Sequence, residues 1–300
     1  MSERALITGG SGYLGFKLHR SLLSSGWTVG LLLREGSSLE KFGQYQTESV
    51  YICDGSYESV DRAVGDFRPT VVFHLASLFL ASHKSSDISN LVESNVTLGT
   101  HLVQACANND VRRFINAGSS WQHYEGKTYD PVCLYAATKE AFQDILEFYV
   151  RAYPLAAISL QLPDTYGPGD WRTKIINLLI NSLASGEHLS LSPGYQKLDF
   201  VYIDDIVSAF TRAAELSKLT DFEGRHCKYS LSSNQFVSLR DLVAMIEQYC
   251  GRQLSVKFGA KEYRSREVMV PGVSEPPLPD WHPQVSLANG LQEVIKEKVV

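Results

Sequence analysis

Ala5-Leu6-Ile7-Thr8-Gly9-Gly10-Ser11-Gly12-Tyr13-Leu14-Gly15 is an apolar run that breaks into glycines at positions 9, 12 and 15. Behind it Leu14, Leu18 and Leu22 recur at helical spacing, so the stretch reads as strand, tight turn and helix. A turn of this kind points backbone N–H groups and a helix N-terminus at whatever lies above the strand, an arrangement suited to a pyrophosphate. Positions without side chains allow the turn, the close approach to phosphate and the packing of helix on strand. Gly9, Ser11, Gly12, Tyr13, Leu14 and Gly15 are therefore the first expected contacts of a dinucleotide.

Strand-like runs recur at residues 4–8, 28–33, 49–53, 71–75 and 113–116, alternating with helix-like segments. That alternation predicts an α/β fold, a Rossmann-type doubly wound parallel sheet covered on both faces. Two long helical segments, 91–109 and 135–153, follow the later strands, and a strand at 157–162 leads into the turn-rich Pro163 to Gly169. Beyond it the pattern is irregular, with a helix around 172–185, a Pro193-Gly194 loop, Phe200 to Ile203 feeding a helix, and an extended proline-bearing connection from Pro271 to Pro283. Residues 1–165 read as the dinucleotide domain, 199–217 as a return to it, and 166–300 mainly as a smaller substrate lobe.

With 300 residues, 44% hydrophobic and 20% charged, the chain is long enough for one large or two modest cores. A net charge of −5 supplies no basic field for nucleic acid. No apolar stretch reaches the length of a membrane span and the N-terminus enters a strand directly, which predicts a cytoplasmic protein with no membrane partner. The cysteines, Cys53, Cys106, Cys133, Cys227 and Cys250, are scattered without metal-ligand spacing; free thiols and no metal site are expected.

In dinucleotide folds an acid at the end of the second strand bonds the ribose 2′-hydroxyl and repels a 2′-phosphate. Here Leu33 stands at that place, and Arg34, with Ser37 and Ser38 beyond it, offers a planar fork and hydroxyls to a phosphate. NADPH is expected over NADH. Asp54, after the third strand, is a candidate for the adenine amino group or simply the start of an Asp-Gly turn.

Tyr135-Ala136-Ala137-Thr138-Lys139 puts a phenol and an ammonium four residues apart on one helix face. A nearby ammonium stabilises a phenolate, which would draw the tyrosine from about 10 toward the working range of an acid/base group. Ser119-Ser120, after the strand at 113–116, offers a hydroxyl to hold a reacting oxygen, and either serine fits that role.

Taken together these residues resemble the extended short-chain dehydrogenase/reductases, in the NAD-dependent epimerase/dehydratase family that acts on nucleotide sugars. Thr8 to Gly15 is similar to the family's TGGxGxxG, His74-Leu75-Ala76-Ser77 to its HLAA stretch, Asn95 to Thr100 to its NVxGT, and Tyr135 to Lys139 to its YxxxK. Leu162 to Gly169 resembles its FNxYGPG, Leu198 to Asp205 its RDFVYVDD, and Trp281 to Leu291 its C-terminal ending. The resemblance implies hydride transfer at a sugar carbon and a homodimer formed through two helices such as those at Leu91 and Tyr135. Tyr135 would be the acid/base, Lys139 would bind the nicotinamide ribose, and Ser119 or Ser120 would hold the oxygen. Leu75, Ala76, Ser77, Asn95 and Leu162 would join the cofactor contacts.

Dehydratases of this family follow the Ser/Thr position with an Asp-Glu pair, whereas Ser120-Trp121-Gln122 follows here, with no acid. Without a second acid, the set suits carbonyl reduction, and the surrounding residues resemble ketoreductases of the CDP-abequose synthase type, which act on nucleotide-linked 4-keto-dideoxyhexoses. A 4-epimerase that retains NAD, and a cofactor-sensing regulator without catalysis, are the alternatives. Trp121, Gln122, Asp164, Arg172 and Lys174 are the candidate substrate contacts, with Lys197, Arg264 and Arg266 as further cations for a diphosphate. Asp164 and Leu198 depart from the family's usual Asn and Arg.

Overall fold

Alternating apolar strands and amphipathic helices can bury their surface only by layering, and the chain does so around a parallel sheet. A computed structural model describes residues 3–38, 40–42 and 49–299. The first half runs β1 (Arg4–Thr8), α1 (Tyr13–Ser24), β2 (Thr28–Arg34), β3 (Ser49–Cys53), α2 (Tyr57–Phe67) and β4 (Val71–His74). Next come α3 (Ile88–Val92), a π-helical turn (Glu93–Thr97), α4 (Leu98–Asn108), β5 (Arg113–Ser119), α5 (Leu134–Ala152) and β6 (Ala156–Leu162). The remainder is β7 (Asp164–Tyr166), α6 (Ile175–Ser185), β8 (Leu189–Ser190), β9 (Lys197–Tyr202), α7 (Ile203–Leu216), β10 (His226–Ser230), β11 (Phe236–Ser238), α8 (Leu239–Cys250), β12 (Val256–Lys257) and α9 (Leu287–Val299).

Seven strands form one parallel sheet in the order β10-β6-β5-β4-β1-β2-β3. The order reverses between β1 and β4, which opens a crevice at the carboxyl ends of those strands. β1 is buried on both faces: Ala5 and Ile7 pack with Leu18, Leu31 and Phe210, and Leu6 packs with Val72, Phe114 and Phe142. Such two-sided burial requires an unbroken apolar strand, which is what Ala5-Leu6-Ile7 provides.

A second core, with Tyr166, Ile176, Leu179, Phe200, Leu242 and Leu291, belongs to the later elements. Val201, Ile206, Val207, Ala209, Phe210, Ala213 and Ala214 are instead buried in the same cluster as Ala5 and Ile7 of β1, so β9 and α7 carry the chain back against the sheet. β10 also returns, pairing with β6, a strand absent from the sequence expectation. The expected break at 163–169 contains β7, which pairs with β9. The long helix expected from Leu91 begins at Ile88 and carries the π turn at 93–97. No helix among the described residues is long and apolar enough to cross a membrane.

Burial holds three imidazoles well below the ordinary histidine value: His19 at about 4, His74 at about 3 and His226 at about 4. The unfolded chain binds protons at these sites once the pH falls below about 6.5, whereas the folded chain does not, so protons favour unfolding there. Stability should therefore fall as the pH drops from about 6.5 toward about 4. Urea midpoints measured at decreasing pH check this, and His19→Leu should make the decline shallower.

Candidate active site

The crevice holds two confluent cavities of about 440 and 390 Å³. Gly9, Gly12, Tyr135 and Lys139 border the larger, whereas Lys197, Lys261 and Arg264 border the smaller; Phe79, Trp121, Asp164 and Lys174 face both.

Backbone proximity explains the glycines of the first turn. A Cβ on Gly9, whose φ is +69°, would stand 2.6 Å from the Ala76 nitrogen, and one on Gly15 would collide with the Gly9 carbonyl. Thr8 ties this turn to the loop after β4, its hydroxyl accepting from the Leu75 and Ala76 N–H groups at 3.2 Å each and meeting His74 Nδ1 at 2.9 Å. Leu14, Leu75, Ser77 and Leu162 border the same cavity, and Ser11 lies partly exposed in the turn.

Tyr135 and Lys139 project from the first turns of α5, both buried. Burial pushes the Tyr135 phenol above its ordinary value, against the pull of the Ser77 and Ser119 hydroxyls beside it. This differs from the expectation of a tyrosine lowered by its lysine, because burial outweighs the neighbouring hydroxyls. Burial also lowers the Lys139 ammonium to about 8, and Nζ has no hydrogen-bond partner among the described residues. Of the two candidate serines, Ser119 ends β5 next to the phenol, whereas Ser120 faces both cavities.

Two expected ligand contacts are structural struts. Gln122 is fully buried; its Oε1 accepts the Ser119 N–H at 2.7 Å and its Nε2 donates to the Glu140 carboxylate, which also lies 3.4 Å from Lys228 Nζ. Asn95 is equally buried. Its Oδ1 accepts from Ser77 Oγ and the Leu78 N–H at 3.0 and 2.8 Å, and its Nδ2 donates to Leu78 O and Thr138 Oγ1 at 3.0 Å each. The Asn95 amide has no capacity left for a ligand, and the Gln122 amide is kept from one by its complete burial.

Arg172 borders the larger cavity with its guanidinium already engaged. Its guanidinium donates to Asp170 and Thr165 and lies 4.8 Å over the Tyr13 ring, on the side of the glycine turn. The Tyr13 hydroxyl donates to Pro168 O at 2.9 Å, so that side chain fastens the 163–174 loop. Lys174 pairs with Asp164 at 3.4 Å. Arg264 pairs with Glu267 and lies 4.7 Å over Trp121, whereas Arg266 is held by Asp130.

Arg34 ends β2 with its side chain exposed, and Ser38 is exposed after it. Asp54 Oδ1 accepts from Ser56 N and Oγ at 2.9 and 2.6 Å, the turn that starts α2. The arrangement fits a nicotinamide dinucleotide on two observations: a glycine turn with no room for a Cβ at Gly9 or Gly15, and a buried lysine amine with no hydrogen-bond partner among the described residues.

A model of the NAD dependent epimerase/dehydratase family matches residues 5–222. Over 277 residues the chain is 28% identical to CDP-abequose synthase from Yersinia pseudotuberculosis, covering 89% of this chain and 91% of that protein. It is 24% identical over 324 residues to UDP-glucose 4-epimerase from Mycolicibacterium smegmatis, with 98% and 97% covered. The crystal structure of a UDP-glucose 4-epimerase from Thermus thermophilus, in complex with NAD, superposes with a TM-score of 0.84 at 23% identity, over 98% of each chain.

Gln122→Ala should leave the Ser119 N–H and the Glu140 carboxylate without their partner. A loss of about 2–4 kcal/mol is expected from two such buried groups, read by urea denaturation against the wild type.

Proposed function

Because the chain belongs to the NAD dependent epimerase/dehydratase family, we propose that it reduces the carbonyl of a nucleotide-linked 4-keto-deoxyhexose to the alcohol, with NADPH as reductant. The observation that carries this reading is the Tyr135 phenol, raised by burial and flanked by the Ser77 and Ser119 hydroxyls. A phenol that keeps its proton at neutral pH is in the state that a reduction consumes. The bound nicotinamide would supply the hydride. Ser119 orients the carbonyl oxygen, and Tyr135 gives that oxygen its proton as negative charge develops there.

Lys139 has two tasks. With a value near 8 its amine is mostly charged at neutral pH, so it stabilises the phenolate left after proton transfer, and its free N–H groups suit the hydroxyls of a ribose. Gly9, Gly12 and Gly15 receive the pyrophosphate, and Arg34 with Ser38 the 2′-phosphate. Glu140 and Ser119 occupy both ends of the Gln122 amide, so the position where dehydratases carry an acid has no group to abstract a proton. The 28% relative named for CDP-abequose synthesis supports the same assignment. Homodimer formation through α4 and α5 belongs to this reading, supported by Phe148, 60% exposed on α5.

The direct test is NADPH oxidation with CDP-, dTDP-, GDP- and UDP-linked 4-ketosugars. Tyr135→Phe should lower kcat by about 10²–10⁴ while cofactor Kd stays within about twofold of wild type; full turnover in that variant would end the reductase mechanism. Stoichiometric NAD released on denaturation would favour a 4-epimerase, and cofactor binding with no turnover of any sugar would favour a sensor. Arg34→Ala should raise the Kd for NADPH about tenfold and leave that for NADH unchanged, measured by titration calorimetry.

A further inference from the structure

We propose that Phe79 and Trp121 are the residues that read the sugar, forming an aromatic bracket that accepts a deoxygenated carbon beside the reacting carbonyl and disfavours a hydroxylated one. The inference rests on the preceding reading only in placing that carbonyl at the Tyr135 hydroxyl.

Phe79 lies in the loop after β4 and is 40% exposed, a large apolar ring left open inside a cleft. Its ring stands edge-on to Tyr135, with centroids 5.0 Å apart at 79°, and 5.4 Å from Trp121 at 59°. All three rings border the larger cavity. A carbonyl oxygen within hydrogen-bonding distance of the phenol therefore brings its neighbouring sugar carbons against Phe79 or Trp121.

The cations beside these rings are already engaged. Lys174 Nζ lies 4.1 Å from the Phe79 centroid and pairs with Asp164, while Arg264 covers Trp121 and pairs with Glu267. A methyl or methylene against the bracket buries apolar surface, whereas a hydroxyl there gives up water for an aromatic ring. The preference is built into the wall itself.

Pre-organisation strengthens the argument. Asn95, in the π turn, accepts from the Leu78 N–H and donates to Leu78 O, clamping the residue next to Phe79. The same amide donates to Thr138 on α5, one turn beyond Tyr135. The bracket and the phenol are thus positioned against one another before a sugar arrives.

Paired ligands sharing one nucleotide test this, because the base and diphosphate cancel in the ratio. With NADP⁺ present, Kd values for dTDP-3-deoxyglucose, which lacks the hydroxyl on the carbon beside C4, and dTDP-glucose should differ by about tenfold or more in favour of the deoxysugar in wild type. Phe79→Ala and Trp121→Ala should each reduce that ratio to about threefold or less, with NADP⁺ affinity retained as the folding control. Leu219→Ala, exposed beyond the end of α7 and bordering neither cavity, should leave it unchanged. Equal binding of the two sugars by wild type, or a ratio that survives both bracket substitutions, would overturn the assignment. These are equilibrium measurements, so a selective protein that oxidises no NADPH would sink the reductase reading and leave the bracket standing.

Discussion

Lys139 is buried, 1% exposed, and among the described residues no group accepts a hydrogen bond from its amine. Removing an ammonium from water costs several kcal/mol unless a partner compensates, and the lowering of this one to about 8 is the trace of that cost. The fold tolerates it because the same position faces the crevice where a ligand can supply the partner. The apolar core around β1 and β4 makes room for such a group by carrying the stability elsewhere.

The crevice itself follows from strand order. β1 and β4 are sheet neighbours although two strands separate them in sequence, so the loops that leave them diverge. Thr8 then reconnects the loops through one hydroxyl that meets His74 and two backbone N–H groups. β9 and α7 brace this sheet from the far side, and β10 extends its edge, so the later half of the chain holds the crevice as well as lining it.

Local signals were legible in the sequence and long-range ones were not. The glycine turn, the apolar strands and the Tyr135–Lys139 spacing are properties of contiguous residues, and the structure contains each of these elements where expected. β7 and β10 are short strands whose existence depends on partners 36 and 69 residues away, as the pairings of Asp164 with Phe200 and Ala157 with His226 show. The motif around Asn95 suggests a cofactor contact and the place of Gln122 after Ser119 suggests a substrate contact, but a motif or a place in the chain does not tell which way an amide turns. Only the fold shows both amides buried and bonded to neighbouring loops and to α5. Phe79 carried no signal at all, since a lone aromatic after a strand reads as core.

What links these parts is a single stretch of α5. Tyr135 reaches Ser77 and Ser119, Thr138 receives Asn95 and with it the Phe79 loop, and Glu140 receives Gln122 and with it the Ser119 backbone. Lys139 lies between them, aimed at the cavity. Helical geometry fixes the spacing of these side chains to one another far more tightly than loops could. The loops after β4 and β5 need only be fastened to the helix for the serines, the aromatic wall and the phenol to acquire a common frame. The buried amides of Asn95 and Gln122 do that fastening, and the low dielectric around them makes each bond directional and costly to lose. The Asn95 and Gln122 side chains, which border neither cavity, thereby govern the geometry of the residues that do.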